Sequence, residues 1–334
     1  MKVCVYFEPS ENRDNFEGAR LRKNIKGALE IMGIPYCNNV VNKYDLIHFI
    51  SIKDEEKIND AIESHIPTVI SAFMCENDVT ARITNVRNEN VGLSLKAIRV
   101  LNKVDRVLVP NQTGKEFLLK HGITSKIDVV TPGVKLSRFE KTNQIEDDVF
   151  YRYYQLEKDA KFIVSIGTYD DKECLKALKE VARKCPKYKF FFFGVGQNAK
   201  KLYKSRNVPS NLKLALLMND EVYCSMMKQA SIYLSFDNSK HSPITLLDAA
   251  SSKTQIVALE PLSYNEEILK ETHAYTCANV GEVVLTIEGL MKGSLPFKVE
   301  EAYEFAKKNS LEKLGEELKE EYENIITEAK KRND

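Results

Sequence analysis

The chain has 334 residues, 43% of them hydrophobic and 29% charged, a length that divides into two domains of roughly 150 residues and a balance that excludes a disordered or fibrous protein. Its net charge of +1 excludes whole-protein attraction to nucleic acid, so no nucleic-acid partner is expected and any electrostatic partner has to meet a local patch. No run reaches the roughly 20 apolar residues of a membrane-spanning helix, and MKVCVYFEP carries no secretory pattern, so a cytoplasmic location is expected.

In chain order, Val3 to Phe7 is a short apolar run closed by Glu8-Pro9 and predicts a buried strand. A loop to about Gly18 follows, and then Leu21, Ile25, Ala28, Leu29 and Met32 recur at helical spacing up to Gly33. The alternation continues with strands at 45–50, 67–71, 106–109 and 126–130 and helices at 55–64, 93–104 and 113–121. After a polar connection at 141–148 and a short helix, the pattern restarts at Phe162. Further strands are predicted at 188–193, 213–217, 232–236, 255–259 and 274–277. Helices at 300–307 and 311–331 close the chain, the last carrying Leu314, Leu318, Tyr322, Ile325 and Ile326 on one face. Such alternation implies an α/β protein of two Rossmann-like, doubly wound parallel sheets. The expected domains are 1–145, 146–310 and a terminal helix, 311–334, packing back toward the first domain.

Seven cysteines stand singly without a C-x-x-C pair, and five histidines show no ligand spacing, so neither a disulfide framework nor a metal site is expected. Gly194-Val195-Gly196 follows an apolar strand, but Ala199 takes the last glycine position of a dinucleotide fingerprint, which argues against a dehydrogenase. The more informative junction is Phe236 to Asp248, where a strand ends, a polar loop follows and a helix begins. Ser242 suits an N-cap and Pro243 a first helical turn. The N–H groups of Ile244 and Thr245, with Lys240 nearby, form a seat for phosphate, although the same residues also suffice merely to start a helix. His241 draws notice only because it sits in that loop. A basic stretch containing Arg82, Arg87, Lys96, Arg99 and Lys103 reads as a solvated helix face.

Two segments, 104–113 (VDRVLVPNQT) and 129–139 (VVTPGVKLSRF), resemble the "aD.vi.pS" and "v.pNGvd...F" signatures of family-4 glycosyltransferases with the two-domain B-type fold. The later SPITLLDAASSKTQIVALE, 242–260, resembles the family's "G.p.lEAma.g.pVva" helix and strand. The opening Glu17-Gly18-Ala19-Arg20 and the run from Tyr44 to Phe49 are similar to bacterial synthases that add a sugar to glycosyl-diacylglycerol. The resemblance implies two domains facing a cleft, with the nucleotide sugar held on the second.

Carried over position by position, the donor-binding set comprises Gly18, Gly167, Thr168, Lys172, Lys240, His241, Ser242, Pro243, Ile244, Thr245 and Asp248. Arg82, Arg87, Lys96, Arg99 and Lys103 fall on the acceptor or membrane side. Several positions depart from the family. Thr168 and Glu173 stand where an Arg and a Lys grip the diphosphate, Lys240 and Asp248 stand where two Glu residues lie eight apart, and no His stands near Met74. The implied activity is transfer of a hexose from a UDP-linked sugar to a lipid or glycan acceptor, with retention and without a metal or cofactor, by a protein in peripheral contact with an anionic membrane at its inner face. The alternative is a catalytically silent binding or partner protein on the same scaffold.

Overall fold

A computed structural model describes residues 1–7, 16–40, 43–72, 93–140, 148–158, 160–169, 171–195, 207–216, 219–236, 244–260 and 268–333. Its first half runs β1 (Val3–Tyr6), α1 (Phe16–Ile31), β2 (Tyr36–Cys37), β3 (Leu46–Phe49), α2 (Glu55–Glu63), β4 (Thr68–Ser71), α3 (Leu95–Leu101), β5 (Arg106–Val109), α4 (Gln112–Lys120) and β6 (Ile127–Val129). A single 3-10 turn, Leu136–Arg138, precedes α5 (Val149–Tyr154), β7 (Phe162–Thr168), α6 (Lys172–Lys184), β8 (Lys189–Val195) and β9 (Leu212–Leu216). Then come α7 (Asp220–Gln229), β10 (Ile232–Ser235), α8 (Ile244–Ser251), β11 (Gln255–Leu259), β12 (Ala274–Cys277), α9 (Val280–Lys292), α10 (Val299–Lys308) and α11 (Leu311–Asn333).

Every strand read from the sequence forms, together with the two-residue β2, which is too short to carry a periodic signal. Helix starts are fixed by side chains that accept orphan backbone N–H groups: Asp54 from Lys57, Ser94 from Ala97, Asn111 from Gly114, Asn219 from Val222 and Asn279 from Glu282. The strands form two six-stranded parallel sheets, ordered β2-β1-β3-β4-β5-β6 and β12-β11-β10-β7-β8-β9. Helices cover both faces of such sheets, which is why β3, β4, β5, β10 and β11 are buried at every residue. The chain divides into two compact units. Unit 1 is Met1–Val134, His241–Ile244 and Asn309–Asp334, and unit 2 is Lys135–Lys240 and Thr245–Lys308.

In unit 1 successive strand residues point to opposite faces. Ile47, Phe49, Ile70 and Val107 join a core with Ile58, Val100 and Leu118 of α2, α3 and α4. Val3, Val5, Leu46, Val69 and Leu108 join one with Leu21, Ile25 and Leu29 of α1 and Leu314, Leu318, Tyr322 and Ile325 of α11. Close approach of α11 to α1 depends on Gly315, where a Cβ would lie 2.6 Å from Met32 and 3.0 Å from the Ala28 carbonyl. Gly133, with φ +70°, is needed twice over, because a Cβ there would also meet Leu314 at 2.8 Å.

Polar contacts fasten the same helix. Arg106 is fully buried and pairs with Asp128 at 2.7 Å, Glu328 at 3.1 Å and Glu321 at 3.8 Å. Glu317 accepts from the Thr131 N–H at 3.0 Å. Unit 2 is closed differently, by an apolar cluster that includes Leu178, Phe190, Ile232 and Ile287, and by Phe150 of α5 stacked on Phe162 at 4.8 Å.

Candidate active site

Open parallel sheets bind ligands at the carboxyl ends of their strands, where the strand order reverses. In unit 2 the chain adds β8 and β9 on one side of β7, then β10, β11 and β12 on the other, so the reversal lies between β7 and β10. Gly167 lies at the end of β7 and Phe236 just past β10. A cavity of about 10 Å³ there is lined by Ser165, Ile166, Gly167, Asp171, Cys174, Leu178, Phe192 and Phe236. Gly194 has a packing reason, because a Cβ would sit 2.7 Å from Phe192 and 2.8 Å from Tyr169.

Two helices open toward this edge. The amino terminus of α6 is closed by its own cap, with Asp171 accepting from the N–H groups of Glu173 at 3.1 Å and Cys174 at 3.0 Å. Lys172, the first residue of α6, is exposed. The other helix is α8, beginning at Ile244 with Thr245 next, both buried. Lys240, His241, Ser242 and Pro243, which precede it, lie outside the described residues, as do the Thr168 side chain and both Arg82 and Arg87.

Asp248, in the second turn of α8, is 1% exposed. Its Oδ2 accepts from the Tyr223 hydroxyl at 2.8 Å and lies 3.5 Å from the Arg138 guanidinium. Arg138 also pairs with Asp220 and lies over the rings of Phe139, at 5.2 Å, and Tyr223, at 5.5 Å. Burial works against its charge, but the carboxylates of Asp248 and Asp220 prevail and raise its pKa. Arg138 and Tyr223 were absent from the sequence-derived site. Arg138 stands inside the 129–139 signature and was legible there; nothing in the sequence pairs Tyr223 with a residue 25 positions on.

In unit 1, Gly18 is buried in the first turn of α1. The described members of the basic stretch have intramolecular partners. Lys96 donates to the Lys53 carbonyl at 2.9 Å, Arg99 forks onto Glu55 at 2.8 and 2.9 Å, and Lys103 donates to Asn59 at 3.1 Å. Glu55 therefore cancels one of the charges read as membrane-facing. Among the described residues no three His, Cys, Asp or Glu side chains converge on a metal-sized site, and no helix is long and apolar enough to cross a membrane.

No protein-family model matches the chain. A curated relative, the processive diacylglycerol alpha-glucosyltransferase of Acholeplasma laidlawii, is 23% identical over 335 residues, covering 98% of this chain and 99% of that protein. Among solved structures, Anabaena HepE in complex with UDP-glucose superposes with a TM-score of 0.74 at 13% identity, over 97% of this chain and 100% of that one. Sucrose-phosphate synthase from Thermosynechococcus elongatus gives 0.74 at 10% identity, over 98% and 99% of the two chains. The chain has the B-type glycosyltransferase fold. WaaG, a glycosyltransferase involved in lipopolysaccharide biosynthesis, shares that B-type fold with a TM-score of 0.66 at 12% identity, over 95% of this chain and 98% of that one. The likeness to the diacylglycerol alpha-glucosyltransferase extends along nearly the whole of both chains.

Proposed function

We propose that the chain is a glycosyltransferase that moves a hexose from a UDP-linked sugar to a hydroxyl of a lipid or glycan acceptor, with retention of configuration. The observation that carries this reading is the end-to-end similarity to a diacylglycerol alpha-glucosyltransferase, with 98% of one chain matched to 99% of the other. The B-type neighbour that holds UDP-glucose supports the donor class.

The chemistry asked of unit 2 is electrostatic. As the sugar–phosphate bond breaks, the departing diphosphate gains charge, and groups already aimed at it lower the barrier without reorganising. The amino terminus of α8, at Ile244 and Thr245, is the positive helix end assigned to the diphosphate in this reading. Lys172 and Lys240 supply the cations that the family draws from other positions, and Asp248 meets the ribose. Gly167 and Thr168 at the end of β7, Gly18, and His241, Ser242 and Pro243, which precede α8 in the sequence, complete the proposed donor-binding set.

The acceptor belongs to unit 1, where Lys96 and Lys103 with Arg82 and Arg87 draw the protein to anionic lipid at the inner membrane face. The test is a transfer assay with radiolabelled UDP-glucose and UDP-galactose on vesicles containing diacylglycerol and monoglycosylated diacylglycerol. Label is expected in the lipid fraction. Intact donors and unlabelled lipid, from a folded sample, would overturn the reading.

A further inference from the structure

His48, in β3, is fully buried and takes no part in the donor site. Its Nδ1 is 2.6 Å from the Tyr322 hydroxyl and its Nε2 is 2.7 Å from Ser71 Oγ. Burial alone lowers its pKa to about 3 and raises that of Tyr322, so the chain runs through a neutral imidazole and a protonated phenol.

The tautomer follows from hydrogen-bond accounting. Among the described residues the Tyr322 hydroxyl has His48 as its one hydrogen-bond partner, and it is buried. Three hydrogens meet two hydrogen bonds, so one is left over; on the fully buried Tyr322 it would cost about 1–3 kcal/mol, whereas Ser71 borders a cavity that can receive a partner for it. Tyr322 therefore donates to Nδ1, the imidazole carries its hydrogen on Nε2, and Ser71 Oγ accepts it. The Ser71 hydroxyl hydrogen is left with no protein acceptor among the described residues.

Ser71 ends β4 and lines a cavity of about 20 Å³ with Leu21, Pro110, Thr131, Pro132 and Leu314, at the carboxyl ends of β4, β5 and β6. That volume admits one hydroxyl-sized group, and the carboxyl edge is where such sheets meet ligands.

We infer that Ser71 is the hydrogen-bond donor of a subsite for a single hydroxyl oxygen of the acceptor, oriented through His48 by Tyr322 of the C-terminal helix. Ser71 acts by positioning and His48 and Tyr322 act through it; none of the three moves a proton in the transfer. The one free donor fits an oxygen presented as an acceptor of hydrogen bonds. The inference rests on the glycosyltransferase reading for the identity of the ligand, but not for the state of His48.

The experiment pairs transfer kinetics with nitrogen-15 NMR of the histidine rings, using the full chain and the variants Ser71→Ala, Ser71→Thr and Tyr322→Phe. Ser71→Ala should raise the acceptor KM about tenfold, the size of one lost hydrogen bond, with the donor KM and donor hydrolysis unchanged. Ser71→Thr, which keeps the hydroxyl, should restore the acceptor KM. Wild-type His48 should show a protonated Nε2 and a bare Nδ1, and Tyr322→Phe should disturb that state. An acceptor KM unmoved by Ser71→Ala, equal losses in the Ala and Thr variants, or a protonated Nδ1 would each overturn the subsite. Failure of the wild type to cleave any UDP-sugar would instead strike the functional reading, and the His48 tautomer would still decide the hydrogen-bond chain.

Discussion

Unit 1 and unit 2 each carry six parallel strands, but unit 2 is covered by helices that lie beside its strands in sequence, whereas unit 1 takes α11 from the far end of the chain. The difference extends to their polar interiors. Unit 1 buries Arg106, His48 and Ser71 where they meet α11 or its neighbours, so its polar groups fasten a distant segment. Unit 2 buries Asp248 between Tyr223 and Arg138, so its polar cluster fixes the base of the helix proposed to hold the diphosphate. One set of buried polar groups closes a fold and the other anchors a single helix.

The comparison breaks most visibly if α11 is removed. Leu311, Leu314, Leu318, Tyr322 and Ile325 are all buried against unit 1, and at about 1.5–3 kcal/mol for each side chain their loss matches the whole stability of a typical domain. A chain ending at Ser310 is therefore expected to lose the unfolding transition of unit 1 in calorimetry. A retained two-step transition would show that α11 is dispensable.

Next in size is Arg106→Met. Removal of one partner leaves Asp128, Glu321 and Glu328 crowded without their buried cation, and an unfolding free energy lower by about 3–5 kcal/mol is expected in urea titrations. Repulsion is already visible at Glu321, whose pKa is raised by burial and by the neighbouring Asp128 carboxylate.

The third test uses pH. His48 has a folded pKa depressed to about 3, so the unfolded chain binds a proton that the folded chain refuses as pH falls below the ordinary value of 6.5. Its contribution is present above that value and declines toward acid, by about 2 kcal/mol between pH 7 and pH 5. Glu317 and Glu321, raised by burial, act in the opposite sense, losing stabilisation as pH rises. The difference between wild type and His48→Gln isolates the histidine, and parallel pH profiles for the two would contradict its buried neutral state. The smallest effect belongs to unit 2. Tyr223→Phe should weaken UDP binding by about 0.5–1.5 kcal/mol by loosening Asp248, with the melting of unit 1 unchanged.

Much of this was readable before the structure. Apolar runs of strand length, separated by helical spacing, gave both sheets, because parallel strands buried on two faces leave little room for another pattern. The strand and helix on either side of the junction at 236–244 form as read, and the signature ending in Phe139 contains Arg138, which pairs with Asp248. What escaped notice was pairing across long sequence separations. Arg106 sits in a strand that reads as apolar, and its burial is intelligible only once Asp128 and Glu328 are seen beside it. Asp248 read as a ribose contact, but the side chain is buried and turned inward onto Tyr223. Lys96, Arg99 and Lys103 read as a charged face because a one-dimensional reading could not see Glu55 and Asn59 on the adjacent helix.

The most direct measurement of the central claim is titration calorimetry of the intact protein with UDP, UDP-glucose and UDP-galactose, alongside a GDP-sugar. Saturable binding of UDP and at least one UDP-sugar, weakened in Asp248→Ala, is the result this account predicts. A folded protein that releases no heat with any of them would contradict it and leave a B-type scaffold without a donor.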